Sequence, residues 1–583
     1  MYKNNSKILI LAAAFLCLTC GNYQSETERS REIVNELADE YIESYFDAYP
    51  FMALLSNAPD LHPEKLADNS REGIAQLEKK QLQLLTRLNA INPELMDSET
   101  QNTYFILKNL LENSLAICTC RMELWNVSPT WTGWQSLFSL MASLLPIETP
   151  EQKNKAIKRL SQIPVYLEME IRNLRAGIQL NYSAPANNVR VVIEQMNALI
   201  AGGPENLPYT NIAGESDLNF KEKLESLASL KIIPAIENYR DFLQDEYLIK
   251  TRTSFGVNEN RDGIECYKAS LKYYTTTNFS PKEIHELGLM LVAGILAEVK
   301  NLGQKVMGIR DVRKIFFLMN SEPSFRFNNR EEILINAERS IESVRAKLQD
   351  WFNVVPETKI KVQPFPDFQE KFAPAGEAVA APEEGGTGLF YINTYNANEQ
   401  SRAGLQSIVF HESIPGHLFQ FAVAAGKKSH PICKYFYLSG HGEGWALYAE
   451  RLADEMNLYS SDVERLGMLS NQLLRAARLV VDTGIHAFSW SRDESIDYLM
   501  SNAGLQRSAA EAEVDRYIAV PGQATAYMVG YLEIINLRDA AEKKLGKAFV
   551  LKEFHDLMLE EGTLPLWLLR EKAESWIQRN IQK

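Results

Sequence analysis

The stretch His411-Glu412-Ser413-Ile414-Pro415-Gly416-His417 decides how the rest of the chain is read. It lies in an apolar run, with Ser407-Ile408-Val409-Phe410 before it and Leu418-Phe419-Gln420-Phe421 after it. Two histidines with a glutamate beside the first are the donor set of a zinc hydrolase helix. In the HExxH form both rings stand on one face, and the glutamate activates the zinc-bound water. Here the second histidine comes two residues late. Four residues along a helix is a rotation of about 400°, so two rings nearly eclipse, whereas six is about 600° and leaves the second ring about 120° off the face. An unbroken helix would therefore fail as a ligand pair. Pro415 and Gly416 supply the remedy. Proline has no N–H for the carbonyl one turn back and its ring pushes on that turn, while glycine permits backbone angles that other residues avoid. The pair predicts a bulge or kink that swings His417 back toward His411. The plainer alternative is a kinked core helix with two hydrogen-bonded histidines.

A catalytic zinc takes three protein ligands and keeps one position open. Four of the eight histidines, His411, His417, His430 and His441, fall in one short window. A second signature follows them, Gly440-His441-Gly442-Glu443-Gly444-Trp445-Ala446-Leu447-Tyr448-Ala449-Glu450. Glu443 is far enough beyond His417 for one helix to end and another to start, and it is the expected third ligand. Its plain alternative is a helix-start carboxylate favoured by the dipole. Glu450 lies two turns further along the same face, either as a substitute ligand or as the partner that holds a ligand histidine from behind.

These two segments, together with Arg516-Tyr517-Ile518-Ala519-Val520-Pro521-Gly522-Gln523-Ala524-Thr525-Ala526-Tyr527, resemble the bacterial domain of unknown function family 885. That family is similar in turn to the gluzincin metallopeptidases, such as angiotensin-converting enzyme, thimet oligopeptidase and carboxypeptidase Taq. The resemblance implies a mainly α, multi-helix fold, with a small β-sheet beside the active-site helix and zinc in a deep channel. It implies a peptide substrate, laid by strand addition along an edge strand just before the zinc helix. It also implies a tyrosine near zinc as oxyanion donor. The spacing of this chain departs from HExxH, for which dipeptidyl peptidase III, with one extra residue between its histidines, is a precedent. Leu418 stands where family 885 often has another histidine, which removes a spare ring but none of the proposed ligands.

On that footing Tyr527 is the oxyanion donor, ahead of Tyr517 and Tyr531. His486 either assists at the tetrahedral intermediate, orients substrate, or pairs with Asp482 in the core. Arg516 and Arg538 either hold a substrate carboxylate by bidentate hydrogen bonds or make structural ion pairs. The segment Gly388–Tyr395 is either the substrate-binding strand, with Tyr391 and Asn393 as contacts, or an ordinary edge strand.

The N-terminus reads as an export signal. Lys3 and Lys7 precede a short apolar run, Ile8 to Leu16, too short to span a membrane stably. Cys20 then stands where a lipoprotein cysteine would be acylated after cleavage, although Thr19 is larger than the usual preceding residue. The expected organisation is a signal peptide over 1–19, an N-terminal helical lobe over 20–255 and a catalytic lobe over 256–583. The chain has 583 residues and a formal charge of −14. Without a Lys/Arg cluster, that charge argues against nucleic acid. Cys118, Cys120, Cys266 and Cys433 are too few for a disulfide framework, and Cys118 and Cys120 read as small buried hydrophobes.

Up to about residue 250 the apolar period is helical, as in Ile33-Leu37-Tyr41 and Tyr104-Leu107-Leu111. Ser280-Pro281-Lys282-Glu283 predicts a capped helix start. Lys359–Val362 reads as a strand, and Pro364–Gly388 as a loop or lid. The resulting expectation is an envelope peptidase with one zinc ion on His411, His417 and Glu443, Glu412 as general base, Tyr527 or His486 at the oxyanion, and a membrane link through lipid on Cys20 alone. The rival is a non-catalytic lipoprotein that binds peptide or glycan and whose stretched motif does not close on a metal.

Overall fold

Ser280 starts its helix for the reasons its neighbours give. Its hydroxyl accepts from the Glu283 N–H at 3.3 Å, and the Glu283 carboxylate accepts from the Ser280 N–H at 2.8 Å. Proline at the first helical position completes the start of Pro281–Met307. The same chemistry recurs at Ser70, Asp97, Thr149, Ser461 and Ser491, each of which caps the helix that follows it. The computed structural model built from these elements is mainly helical, with one three-stranded sheet. It describes residues 5–581 except 210–211, 215–216, 358, 366–369, 371–372 and 382–384, with side chains from residue 26 onward. The expected lipid site at Cys20 lies outside the described side chains. Among the described residues, no helix is long and apolar enough to cross a membrane.

Two apolar cores divide the helices. The larger takes Val34 to Trp125, Tyr182, and Val257 to Ala573. The smaller lies wholly between Val127 and Tyr247. The first helices are a different matter: those at Arg71–Leu88 and Ser98–Ile117 belong to the main core and not to a separate N-terminal lobe. The spine of the main core is the helix Asp462–Phe488. From Ala476 to His486 every residue of it is buried. Gly288 of the helix Pro281–Met307 packs on it closely, since an added Cβ would meet Val480 Cγ2 at 2.7 Å.

The sheet has the order β1-β3-β2, with β1 at Lys359–Pro364, β2 at Gly376–Val379 and β3 at Thr387–Ile392. β3 pairs in parallel with β1, Lys359 opposite Thr387, and antiparallel with β2, Glu377 opposite Tyr391. It is therefore the central strand, not the expected edge strand. The edge strands are β1 and β2, and β2 lies inside the stretch read as a loop. β3 shows period two, with Phe390 and Ile392 fully buried and Leu389 and Tyr391 on the other face. Asn393 is also committed locally, its Nδ2 donating to the carbonyls of Glu370 at 2.9 Å and Ala373 at 3.0 Å. Tyr391 stacks on Phe365 at 5.4 Å between ring centroids. Both side chains thus have partners within the fold. Pairing on both flanks leaves their strand no free backbone to offer.

Cys120, read from the sequence as a small hydrophobe, is buried but bonded to Cys266 across 146 residues. The bond ties the first helices to the helix Gly263–Thr275 of the main core. Closing so long a loop restricts the unfolded chain by up to about 5 kcal/mol on the chain-entropy account. The double replacement Cys120→Ser, Cys266→Ser is expected to lower the thermal midpoint by a few degrees at this chain length. Reductant should lower the wild-type midpoint by a similar amount and leave the double variant unmoved.

Candidate metal centre

The helix that carries His411 runs over Leu405–Glu412, and a second one, His417–Ala425, begins at the other histidine. Between them the chain does not bulge but breaks, with φ −103 and ψ −105 at Ser413 and φ −80 and ψ −132 at Gly416. The turn is tight. A Cβ on Gly416 would lie 1.9 Å from the His411 carbonyl oxygen and 2.4 Å from that of Phe410. Only glycine lets the two backbones come that close. Trp445 fastens the turn from outside, its indole N–H donating to the Pro415 carbonyl at 2.9 Å. The break turns the second ring toward the first, so that His411 and His417 stand 4.9 Å apart between centroids and nearly perpendicular.

Glu443 comes from the helix Ser439–Glu455. Its Oε2 lies 3.5 Å from Nε2 of His411 and 3.5 Å from Nε2 of His417. Donor atoms of the three residues all fall within 4.8 Å of one another, the one such group of His, Cys, Asp or Glu among the described residues. The separation has a chemical meaning. Bonds of about 2.0–2.1 Å at tetrahedral angles put donors about 3.3–3.4 Å apart, and 3.5 Å is long for a direct hydrogen bond. Two imidazoles and a carboxylate at this spacing fit a zinc ion.

Glu450 is not in this group. It is fully buried and stands behind His411, with Oε1 at 2.9 Å from Nδ1. Ser407 donates to its other oxygen, and Arg475 Nη2 lies 3.9 Å away. The carboxylate fixes the His411 tautomer so that Nε2 faces Glu443, the service such partners give to metal-bound histidines. Burial lowers the proton affinity of the His411 ring, but Glu443 and Glu450 outweigh it and raise its pKa to about 9. Burial likewise works against the Glu443 carboxylate, yet the two imidazoles hold it far below the usual range.

Glu412 is not one of the three donors, though its charge acts on the His411 ring and on Tyr437. Its Cγ lies 3.2 Å from where a Cβ on Gly376 would sit, at the start of β2. Among the described residues its carboxylate makes no hydrogen bond or ion pair. Tyr437, a residue the sequence reading passed over, donates to Glu443 Oε1 at 3.2 Å. Its aromatic run, Tyr435-Phe436-Tyr437 just ahead of the Glu443 helix, was the only signal available. Tyr527 is brought in by a close helix crossing. A Cβ on Gly530 would meet the Gly440 carbonyl at 1.7 Å, and one on Gly444 would meet Gly530 at 2.4 Å. The Tyr527 ring then lies 6.5 Å from that of His411, nearly parallel. Burial first, and then the Glu443 charge, raise its phenol pKa, so it remains a donor. Of the other two tyrosines weighed, Tyr517 donates to Glu513 and Tyr531 lies near Arg451.

Three further assignments need correction. His486 has no exposure and both its nitrogens are used. Nδ1 accepts from the Val257 N–H at 3.0 Å, and Nε2 donates to the Tyr517 carbonyl at 2.9 Å. It has no lone pair or proton left for a substrate. Nor does it pair with Asp482, whose carboxylate instead takes the Tyr267 hydroxyl at 2.6 Å and the Gly522 N–H at 3.0 Å. Arg538 is committed to Glu455 through two hydrogen bonds of 2.9 and 2.8 Å, and also to Glu542 and Tyr448. Arg516 is held by Glu513 at 3.0 Å and by Gln523. Both arginines make structural pairs, the alternative stated for them above.

His486 gives an acid-stability test. Burial lowers its pKa to about 3 in the folded protein, against 6.5 ordinarily. Between those values the unfolded chain binds a proton that the folded chain refuses, so stability falls as pH drops from 6.5 toward 3. The group supplies about 1.4 kcal/mol per pH unit in that window. Denaturant melts of the wild type and His486→Gln are expected to converge on acidification, with the variant showing the shallower slope. Parallel slopes would contradict the account.

Comparison with known proteins agrees with the fold. The family model described as "Bacterial protein of unknown function (DUF885)" matches residues 50–572. Two solved structures are similar, each described as a "putative lipoprotein". The one from Colwellia psychrerythraea is 25% identical with TM-score 0.87, over 94% of this chain and 99% of that one. The one from Shewanella oneidensis is 19% identical with TM-score 0.73, over 92% of this chain and 99% of that one. No curated protein matches the chain.

Proposed function

The chain belongs to the DUF885 family of bacterial proteins, and on that premise we propose that it is a zinc-dependent hydrolase of peptide bonds in short peptides at the cell envelope. The convergence of His411, His417 and Glu443 carries the reading, because Glu412 stands beside that group and, among the described residues, makes no hydrogen bond or ion pair. A purely structural metal site has no use for an unpaired carboxylate next to a ligand. A zinc ion held by the three residues would polarise the scissile carbonyl and acidify water. Glu412 takes the proton from the attacking water and returns it to the leaving amine. Tyr527, a neutral phenol over the His411 ring, donates toward the oxygen where negative charge develops. Tyr437 holds the Glu443 carboxylate by its second oxygen. The outer edge of β2, against which Glu412 packs, offers backbone groups for an extended peptide.

The envelope location rests on the sequence around Cys20 and on the description of the two similar structures. The Cys120–Cys266 bond suits an oxidising compartment. Mass spectrometry of the mature N-terminus should find lipid on Cys20, and an unmodified N-terminus at that residue would refute the anchor.

Protein purified without added zinc is expected to hold about one ion per chain. His411→Ala, His417→Ala and Glu443→Ala should each empty the site. Glu450→Ala should weaken binding about ten- to a hundredfold without abolishing it. Glu412→Gln should keep the zinc and the fold but cleave a mixed short-peptide library about a hundred- to ten-thousandfold more slowly. Near-wild-type cleavage by Glu412→Gln would overturn its role as base. A wild type that binds zinc and peptide yet never cleaves would be a binding protein instead.

A further inference from the structure

β2 carries an acidic side chain close to the metal-binding helix. Glu377 is exposed on this strand, one residue beyond the glycine that packs against Glu412. Among the described residues it has no hydrogen-bonded or cationic partner. Partial burial of the carboxylate and the nearby Glu412 charge both raise its pKa. The arginines around Tyr527 do not relieve it, since Arg478 and Arg516 are both committed to Glu513. The register says what would meet it. Glu377 lies opposite Tyr391, and so shares the sheet face away from the buried Phe390 and Ile392. Among the described residues, the other flank of β2 pairs with no strand. A peptide adding there as a new strand puts alternate side chains on that same face, beside Glu377. Cross-strand neighbours of opposite charge attract, and those of like charge repel.

We propose that Glu377 is a specificity-determining residue, pairing with a cationic nitrogen of a peptide laid along the outer edge of β2. That nitrogen is either an N-terminal ammonium or a lysine or arginine side chain. The proposal rests on the peptide-hydrolase reading above, but it is measured by binding, so the two can fail separately.

The test uses full-length zinc-loaded Glu412→Gln protein and short peptides of equal length with a dye at the C-terminus. One peptide has a free N-terminus and neutral side chains. Three are N-acetylated, with a central lysine, norleucine or glutamate. Fluorescence polarisation should show a cationic peptide binding about tenfold more tightly than the acetylated neutral one, the scale of a hydrogen bond to a charged group. Whether the free N-terminus or the lysine gains identifies the source of the nitrogen. Adding Glu377→Gln should erase that gain, and adding Glu377→Lys should turn it toward the glutamate peptide. Glu377 is exposed, so neither change threatens the fold. A gain that survives Glu377→Gln, or the absence of any charge preference, overturns the proposal. If the wild type cleaves the peptides while the preference ignores Glu377, only this proposal falls. If they bind with the preference but are never cleaved by the wild type, only the hydrolase reading falls.

Discussion

A carboxylate without access to water must find its partners within the protein, because bare burial of a charge costs several kcal/mol. Glu450 has no exposed surface, and it finds them on two other helices. Ser407 and His411 reach it from one helix, and Arg475 from another. Ser407 and His411 are four residues apart and so share a helix face. One buried charge thus locks the Leu405–Glu412 helix to the Glu443 helix and to the spine of the core. The orientation of the His411 ring follows from that lock, and so does the place where a second and third ligand must arrive. Removing the charge would leave a buried hydroxyl, an imidazole and a guanidinium without their acceptor.

The same carboxylates set the competition between protons and metal. With Glu443 on one side and Glu450 on the other, protonation of the His411 ring is favoured over its ordinary tendency. A metal must displace that proton, so acid works against loading. The attraction that stabilises an imidazolium between two carboxylates is available to a divalent cation in the same place. Tyr437 adds a neutral donor to Glu443 and leaves the charge count unchanged.

Behind Tyr527 lies a second polar layer with its own logic. Arg478 and Arg516 share the Glu513 carboxylate, which also takes the Tyr517 hydroxyl. The Arg478 guanidinium rests 4.7 Å over the Tyr527 ring, a cation–π contact that holds the ring in place. These arginines are therefore best understood as supports. Asp482 does similar work one step further back, where it fastens the Gly522 N–H at the turn that launches the Tyr527 helix. A tyrosine positioned by packing, charge and a helix start is held more firmly than one hung on a loop.

Much of this was legible along the chain. The donor types at His411, Glu412, His417 and Glu443 are set by residue chemistry, and the failure of a six-residue spacing on an unbroken helix is set by geometry. Pro415-Gly416 therefore required a departure from the helix, and Ser280-Pro281-Lys282-Glu283 required a helix start. Both follow from local backbone rules. What the chain could not disclose is which partners distant residues meet. Cys120 finds Cys266 only because two helices far apart in sequence pack together. His486, Arg516 and Arg538 have the right chemistry for a site, but burial and nearby acceptors claim them for the frame. β2 is too short and too rich in small residues to show a period, so its place at an edge of the sheet emerged only from its pairing with β3. Donor identity and local turns are properties of neighbours in sequence. Which donor stays free is decided by tertiary packing, because a buried polar group takes whatever partner the fold brings within reach.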